Sequence, residues 1–274
     1  MSTGATRVVR FTPFQRLLHL VMFVSFLGLA STGLPLLFSD SVLARSLARA
    51  LGGIQTAGIA HRFFAFLMLT IFAVHVLELA WRIVVRREGG LLWGPSSLVP
   101  QPRDLLELRD HVKWFFGRGP RPLFDRYTYW EKFDYWAVFW GMFIIGGSGL
   151  LLWFPELFAE IVPGWVYNVA LLVHGEEALL ATGFIFTIHF FNSHFRPEKF
   201  PMDMVMFTGQ VTEEELKHER PSEYARLVAE GRLDSKRAPA EPAWVSTAGR
   251  CIGALAVVVG LVLLVFIIRG VLHE

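Results

Sequence analysis

Two apolar stretches of this sequence each carry a pair of histidines. His61 and His75 lie 14 residues apart, and His174 and His189 lie 15 apart. In a regular α-helix, 14 residues rise about 21 Å and end about 40° short of whole turns, while 15 rise about 22 Å and end about 60° past them. Each helix therefore offers two imidazoles on roughly one face, one towards each end. Histidine within a membrane is costly to leave unpaired and is a functional residue by default. Two such helices side by side would make two bis-histidine sites about 20 Å apart along their axes. That arrangement suits electron transfer through b-type haem, which takes two axial ligands and is commonly held between facing helices of a bundle.

Further histidines extend the set. His19 lies about one turn into another apolar stretch and is an alternative to His75 as the partner of His189. His194 follows His189 by five residues, about 140° around a regular helix. It reads either as a ligand of a third haem, facing His19 or His75, or as an interfacial residue bonded to a loop. The plainer reading of all six is helix–helix hydrogen bonding or proton relay. His111, His218 and His273 fall outside the apolar stretches and are expected on solvated surface.

Arg62 follows His61 and is the one basic residue in the outer half of a span, so it is expected either to bind a haem propionate through paired hydrogen bonds or to snorkel to the surface. Arg16 and Arg196, at inner ends, could hold inner propionates. Glu176, Glu177 and Glu78 are candidate proton-handling groups. Cys251 is the only cysteine, which excludes an internal disulfide, a Cys-x-x-Cys pair, a cysteine-ligated iron–sulfur cluster and a covalently attached c-type haem within this chain.

The elements that must position these residues follow from composition. The 274 residues are 53% hydrophobic and 18% charged, against about 25% charge in ordinary soluble domains, and the mean hydropathy is +0.44. A formal charge of +2 gives no basic field for nucleic acid. A span needs about 20 apolar residues, and five stretches qualify: 14–38, 57–85, 133–154, 165–195 and 248–268. The expected fold is all-α, an integral membrane bundle of five helices with a four-helix haem-binding core. Expected domains are that core over 1–200, a cytoplasmic polar segment over 201–247, and the fifth span with its flanks over 248–274. No cleavable signal peptide is evident.

Of the 26 Lys and Arg residues, 22 fall before or just inside the first span, between the second and third, or between the fourth and fifth. The positive-inside rule then puts the N-terminus in the cytoplasm and the C-terminus outside, in a multi-pass protein of a bacterial-type inner membrane. Spans two and four run inward, so His61 and His174 are outer, His75 and His189 inner. Residues 103–116 read as a short amphipathic stretch. Thr212 with Glu215 reads as a helix start, and Pro239 and Pro242 mark a linker into the fifth span. Gly141, Gly146, Gly147 and Gly149 in span three allow close helix approach or room for a porphyrin face. Trp130, Tyr135 and Trp136 read as an interfacial belt.

Several of these segments resemble the membrane cytochrome b (gamma) subunits of respiratory formate dehydrogenases, and the related cytochromes b of nickel–iron hydrogenases and thiosulfate reductases. They are Arg10-Phe-Thr-Pro-Phe-Gln-Arg-Leu-Leu-His19, His61-Arg-Phe-Phe, Leu171-Leu-Val-His174 with Ile188-His189, and Gly209-Gln-Val-Thr-Glu-Glu-Glu-Leu-Lys followed by Arg220-Pro-Ser-Glu-Tyr. The resemblance covers about residues 7 to 230. It implies four spans binding two haems b, His61 with His174 outside and His19 with His189 inside, and electron passage between a periplasmic partner and quinone beside the inner haem. The sequence departs from that pattern in four ways. The fourth-span spacing is 15 rather than 14, and His75 and His194 are additional. The segment His194-Phe-Arg-Pro-Glu-Lys-Phe-Pro-Met-Asp resembles cytochromes b that serve multihaem cytochromes c. A fifth span follows and could anchor a partner. Formate as ultimate donor does not carry over.

The expected function is thus that of an electron-transfer subunit with two haems b, or three if His194 is a ligand. It would work between the quinone pool and a partner subunit carrying iron–sulfur clusters or multihaem cytochrome c, within membrane lipid. A non-redox anchor or proton-transport subunit is the alternative from another class. A self-contained reductase is the third, and it would need electrons directly from quinol, because no soluble cofactor domain is present.

Overall fold

The computed structural model describes residues 6–272, so His273 lies outside the described residues. The fold is all-α, with five helices long and apolar enough to cross a membrane, and the chain is a multi-pass membrane protein. The spans are α1 (Pro13–Leu37), α3 (Ile54–Val84), α5 (Tyr129–Trp153), α6 (Trp165–Phe195) and α9 (Ala243–Leu272). Between them stand α2 (Val42–Ala50), α4 (Pro102–Phe115), α7 (Glu213–Glu219) and α8 (Pro221–Ala229). All five expected stretches are helical. The fifth starts earlier than the apolar run, directly after Pro242, because proline suits the entry to a helix and not its interior. The α2 helix was not expected. It starts at Ser41, whose hydroxyl accepts from the Ala44 N–H, the usual N-cap device.

The described chain forms two compact units that interleave along the sequence. One comprises the described residues up to Arg16, His75–Ala137 and Met204–Gly249; the other comprises Leu17–Val74, Val138–Asp203 and the residues from Arg250 on. Most of the polar segment 201–247 belongs to the first of these units, with residues from two other regions of sequence.

In the first unit, the strands β1 (Arg7–Val9), β2 (Gln210–Thr212) and β3 (Arg237–Ala238) form an antiparallel sheet in the order β2-β1-β3, with Val8 opposite Val211 and Arg237. Val8 and Val211 bury against Leu216, Leu227 and Leu233. The chain turns into β2 at Gly209, at φ +74°, where a Cβ would stand 2.7 Å from the Phe11 carbonyl. Glycine alone takes that conformation without strain, and its carbonyl receives the Arg10 and Phe11 N–H groups. Thr212 caps α7 as expected, accepting from the Glu215 N–H at 3.1 Å. Around this small apolar core lie buried ion pairs: Arg126–Glu223 at 3.0 Å, Arg220–Glu131 at 2.9 Å and Lys132–Asp104 at 2.8 Å.

The second unit has an apolar core of Leu34, Phe38, Phe186, Phe190, Leu263 and Phe266. Glycines on α9 receive its aromatic rings. A Cβ at Gly260 would lie 2.4 Å from Phe186, and one at Gly270 2.7 Å from Phe38. Small residues allow such close approach where lipid provides no hydrophobic drive between helices. Two spans are not regular. Residues Met142–Gly146 of α5, and Ile185–His189 and Phe191–Phe195 of α6, form π turns.

Candidate functional site

His61 on α3 and His174 on α6 face each other with ring centres 6.2 Å apart and planes at 77°. Each ring is held from its Nδ1 side. Thr32 Oγ1 on α1 lies 3.1 Å from His61 Nδ1. The same hydroxyl donates to the Gly28 carbonyl at 2.7 Å, so towards His61 it accepts. His174 Nδ1 lies 3.0 Å from the Ile145 carbonyl and 3.3 Å from Ser148 Oγ on α5, and Ser148 Oγ donates to the Ile144 carbonyl at 2.6 Å. A carbonyl can only accept, so Nδ1 of His174 carries the proton. In a neutral imidazole the other nitrogen, Nε2, then presents a bare lone pair. Both rings are set in that tautomer.

The supports of the two rings match. Leu29-Ala-Ser-Thr-Gly33 on α1 and Ile145-Gly-Gly-Ser-Gly149 on α5 each supply a hydroxyl, a glycine directly after it and a carbonyl three residues before it. A Cβ at Gly33 would come within 3.0 Å of His61 Cε1, and one at Gly149 within 3.0 Å of His174 Cε1. The Leu29 carbonyl sits alongside His61 as the Ile145 carbonyl does beside His174. Ile145 lies in the π turn of α5, and such turns are frequent at functional sites. Sequence reasoning missed Thr32, Gly33, Ser148 and the role of Ile145. The signal was present as a Ser/Thr-Gly pair in the middle of each of two apolar stretches.

A second group gathers His19, His189 and His194. His19 is within electrostatic reach of both others, and His194 of His189. The π turns account for this. A π turn takes up one residue more than an α turn, so the 15-residue step from His174 to His189 recovers the angular position of a 14-residue step in a regular helix. The five-residue step to His194 falls in a second π turn, Phe191–Phe195, so the regular-helix figure of about 140° does not hold there. His194 packs its ring against Phe190, centres 5.4 Å apart. Its Nδ1 is buried without a hydrogen-bond partner among the described residues.

His75 has a bond of its own, from Nε2 to Tyr135 Oη at 2.9 Å. Glu78, one turn on, pairs with Arg82 at 3.3 Å. Arg62 is exposed beside His61. Arg16 is engaged by the Phe207 carbonyl and by Glu241 at 3.3 Å, and Glu177 accepts from Trp140 Nε1 at 3.3 Å. His111, expected on solvated surface, is instead half-buried. It stacks on Trp114 at 5.4 Å and bonds Tyr129 Oη at 3.0 Å, because the aromatic residues of α4 and of the start of α5 bury one another. His218 is exposed, as expected.

Among the described residues, no three or more His, Cys, Asp or Glu side chains are arranged to hold a metal ion. The His61–His174 pair brings two imidazoles to face each other. No protein-family model matches the chain, and no curated protein matches it.

Proposed function

We propose that this membrane protein is a cytochrome b, passing electrons between quinone and a partner redox subunit of a respiratory complex. The observation that carries the reading is the His61–His174 pair. Two imidazoles bound on opposite sides of one metal ion, each about 2 Å from it, have ring centres roughly 6 Å apart, and the pair stands at 6.2 Å. Second-sphere hydrogen bonds that fix the tautomer are the usual companions of ligating histidine, and both rings have them. A haem b held there would supply one-electron transfer.

His61 and His174 would be axial ligands of one haem, with Thr32, Ser148 and the Ile145 carbonyl keeping each Nε2 directed at the metal. Gly33 and Gly149 keep the rings clear of the helices behind them. Arg62 offers a cation to a propionate. His19 and His189 would ligate a second haem, and His194 beside them is the ligand available for a third. His75, bonded to Tyr135, is left for proton handling with Glu78. The strong bias of Lys and Arg supports a cytoplasmic N-terminus and an outer C-terminus in a bacterial-type inner membrane. The outer pair then faces the partner subunit, and the inner group faces quinone.

The test is a pyridine haemochrome assay on protein purified from its native membrane. Two haems b per chain are expected, or three with His194 as ligand. Absence of haem from intact protein would overturn the proposal.

A further inference from the structure

Helix α4 is tied to the start of span α5 at two points. Lys132 Nζ bonds both carboxylate oxygens of Asp104, at 2.8 and 2.9 Å, with both side chains buried. His111 bonds Tyr129 Oη at 3.0 Å. Just upstream of α4, the Leu98 carbonyl accepts from Trp136 Nε1 at 3.1 Å. The first turns of α5, with Glu131, Lys132 and Asp134, are where a span leaves hydrocarbon for the headgroup region. A helix pinned there lies at that level.

Round its axis, α4 has three faces. Asp104 and His111 form the anchored one. Next to it, Leu105, Leu108, Val112, Phe115 and the capping Phe116 fall within about 100°. This stripe is uncovered: Leu105 is 71% exposed, Phe115 77% and Phe116 68%. Beyond the stripe come Arg109 and Lys113, and Arg118 follows the helix. Two of the acids of α4 are engaged away from this margin, Asp104 by Lys132 and Glu107 by Arg103, while Asp110 lies within it, 2.8 Å from Arg109 and 3.9 Å from Lys113, so the margin with Arg118 keeps a net positive charge. An apolar stripe with a basic margin is the pattern of helices that lie in the plane of a membrane surface, and basic side chains of this kind reach headgroups while their stems stay in apolar surroundings.

We propose that Pro102–Phe115 is an interfacial helix. Its Leu105–Phe116 stripe enters the boundary between acyl chains and headgroups of the leaflet where α5 begins, and Arg109, Lys113 and Arg118 meet phospholipid phosphates. The occupant of the stripe is lipid rather than protein, because the stripe adjoins a span at the depth where lipid is the surrounding medium. The inference does not depend on haem.

Cys251 is the one cysteine, so a C251S background allows single labels. Val112→Cys on the stripe and Asp110→Cys on the polar side, each carrying an environment-sensitive fluorophore, would be compared in full-length protein in phosphatidylcholine–phosphatidylglycerol nanodiscs. Intensities with and without lipids bearing a nitroxide near the headgroup give the quenching, and their ratio cancels quenching by any group in the protein. The label at 112 is expected to be blue-shifted and quenched by lipid nitroxide several-fold more than the label at 110. Equal quenching at the two positions would overturn the proposal. So would a label at 112 shielded from lipid nitroxide and from aqueous iodide alike, since protein would then cover the stripe.

Discussion

Within the spans of the unit that holds His61 and His174, buried polar side chains are neutral and lean on helix backbone. Ser25, Thr32, Ser148 and Thr182 each donate to the carbonyl one turn back, at 2.5 to 2.7 Å. In the sheet-containing unit, charged side chains are buried as well, among them Arg10, Asp104, Asp125, Lys132, Arg220 and Glu223, and they pair with one another. Glu223 alone meets Arg126 at 3.0 Å and Arg10 at 3.6 Å. The difference follows from the surroundings. Hydrocarbon offers no water to an unpaired polar group, so a hydroxyl that satisfies itself locally is the low-cost choice there. Near water, long charged side chains can be gathered from distant parts of the chain, and their residual fields compete. Burial and the neighbouring Arg220 lower the pKa of Arg10, while Glu223 and Glu131 hold it up. The first unit's buried charges join distant parts of the chain, while in the second Thr32 and Ser148, besides satisfying themselves locally, meet the His61 and His174 rings.

The largest effect expected concerns those imidazoles. His61→Ala or His174→Ala should remove one haem b per chain in the haemochrome assay while the protein still inserts; unchanged haem content would separate the pair from any ligand role. In the other unit, Glu223→Ala strands two buried guanidinium groups. Breaking a buried pair costs about 3–5 kcal/mol, so amide exchange in residues 210–238 should accelerate strongly with haem content unchanged. Loss of haem in that variant would mean that the two chemistries are not separable. Gly149→Ala should displace the His174 ring by a few tenths of an ångström and shift the redox midpoint or lower haem occupancy, with Gly33→Ala acting alike on His61. Ser148→Ala is milder, because the Ile145 carbonyl still accepts from His174. A net hydrogen bond contributes about 1 kcal/mol, and a small change in midpoint potential without loss of haem is the expected reading.

The smallest effect is a pH dependence. Burial raises the Glu107 carboxyl above the ordinary value, against the pull of Arg103. A raised folded-state pKa stabilises fully below the unfolded value and the contribution is lost as pH rises through the folded value. The packing of α4 on α5 should therefore loosen slightly as pH rises from about 4 towards neutrality. Glu107→Gln should flatten that slope in hydrogen exchange of 102–116.

Much of the architecture was legible in local sequence. Five apolar runs, the Thr212 cap and the amphipathic run that becomes α4 are properties of neighbouring residues. The short sheet was not legible, because strands of two or three residues have no periodicity to read and pair across some 200 residues of chain. Regular helix geometry misplaced His194 relative to His189, since nothing in the residues around them announces a π turn. The extra residue between His174 and His189 was its one trace. His111 was misread because its cover comes from Phe124, Tyr129 and Trp130, which lie beyond the end of its own helix.

The sequence by itself determined that the chain crosses the membrane several times, and which histidines lie within apolar segments. Both follow from the free energy of transferring contiguous side chains, which depends on composition alone. Tertiary structure decided which histidines meet. The 6.2 Å between His61 and His174 depends on the packing of α3 and α6 and on the hydroxyls of α1 and α5 that turn each ring. The gathering of His19, His189 and His194 depends on π turns in α6. Distances between side chains on different helices are set by how those helices pack, and no stretch of sequence encodes that packing locally.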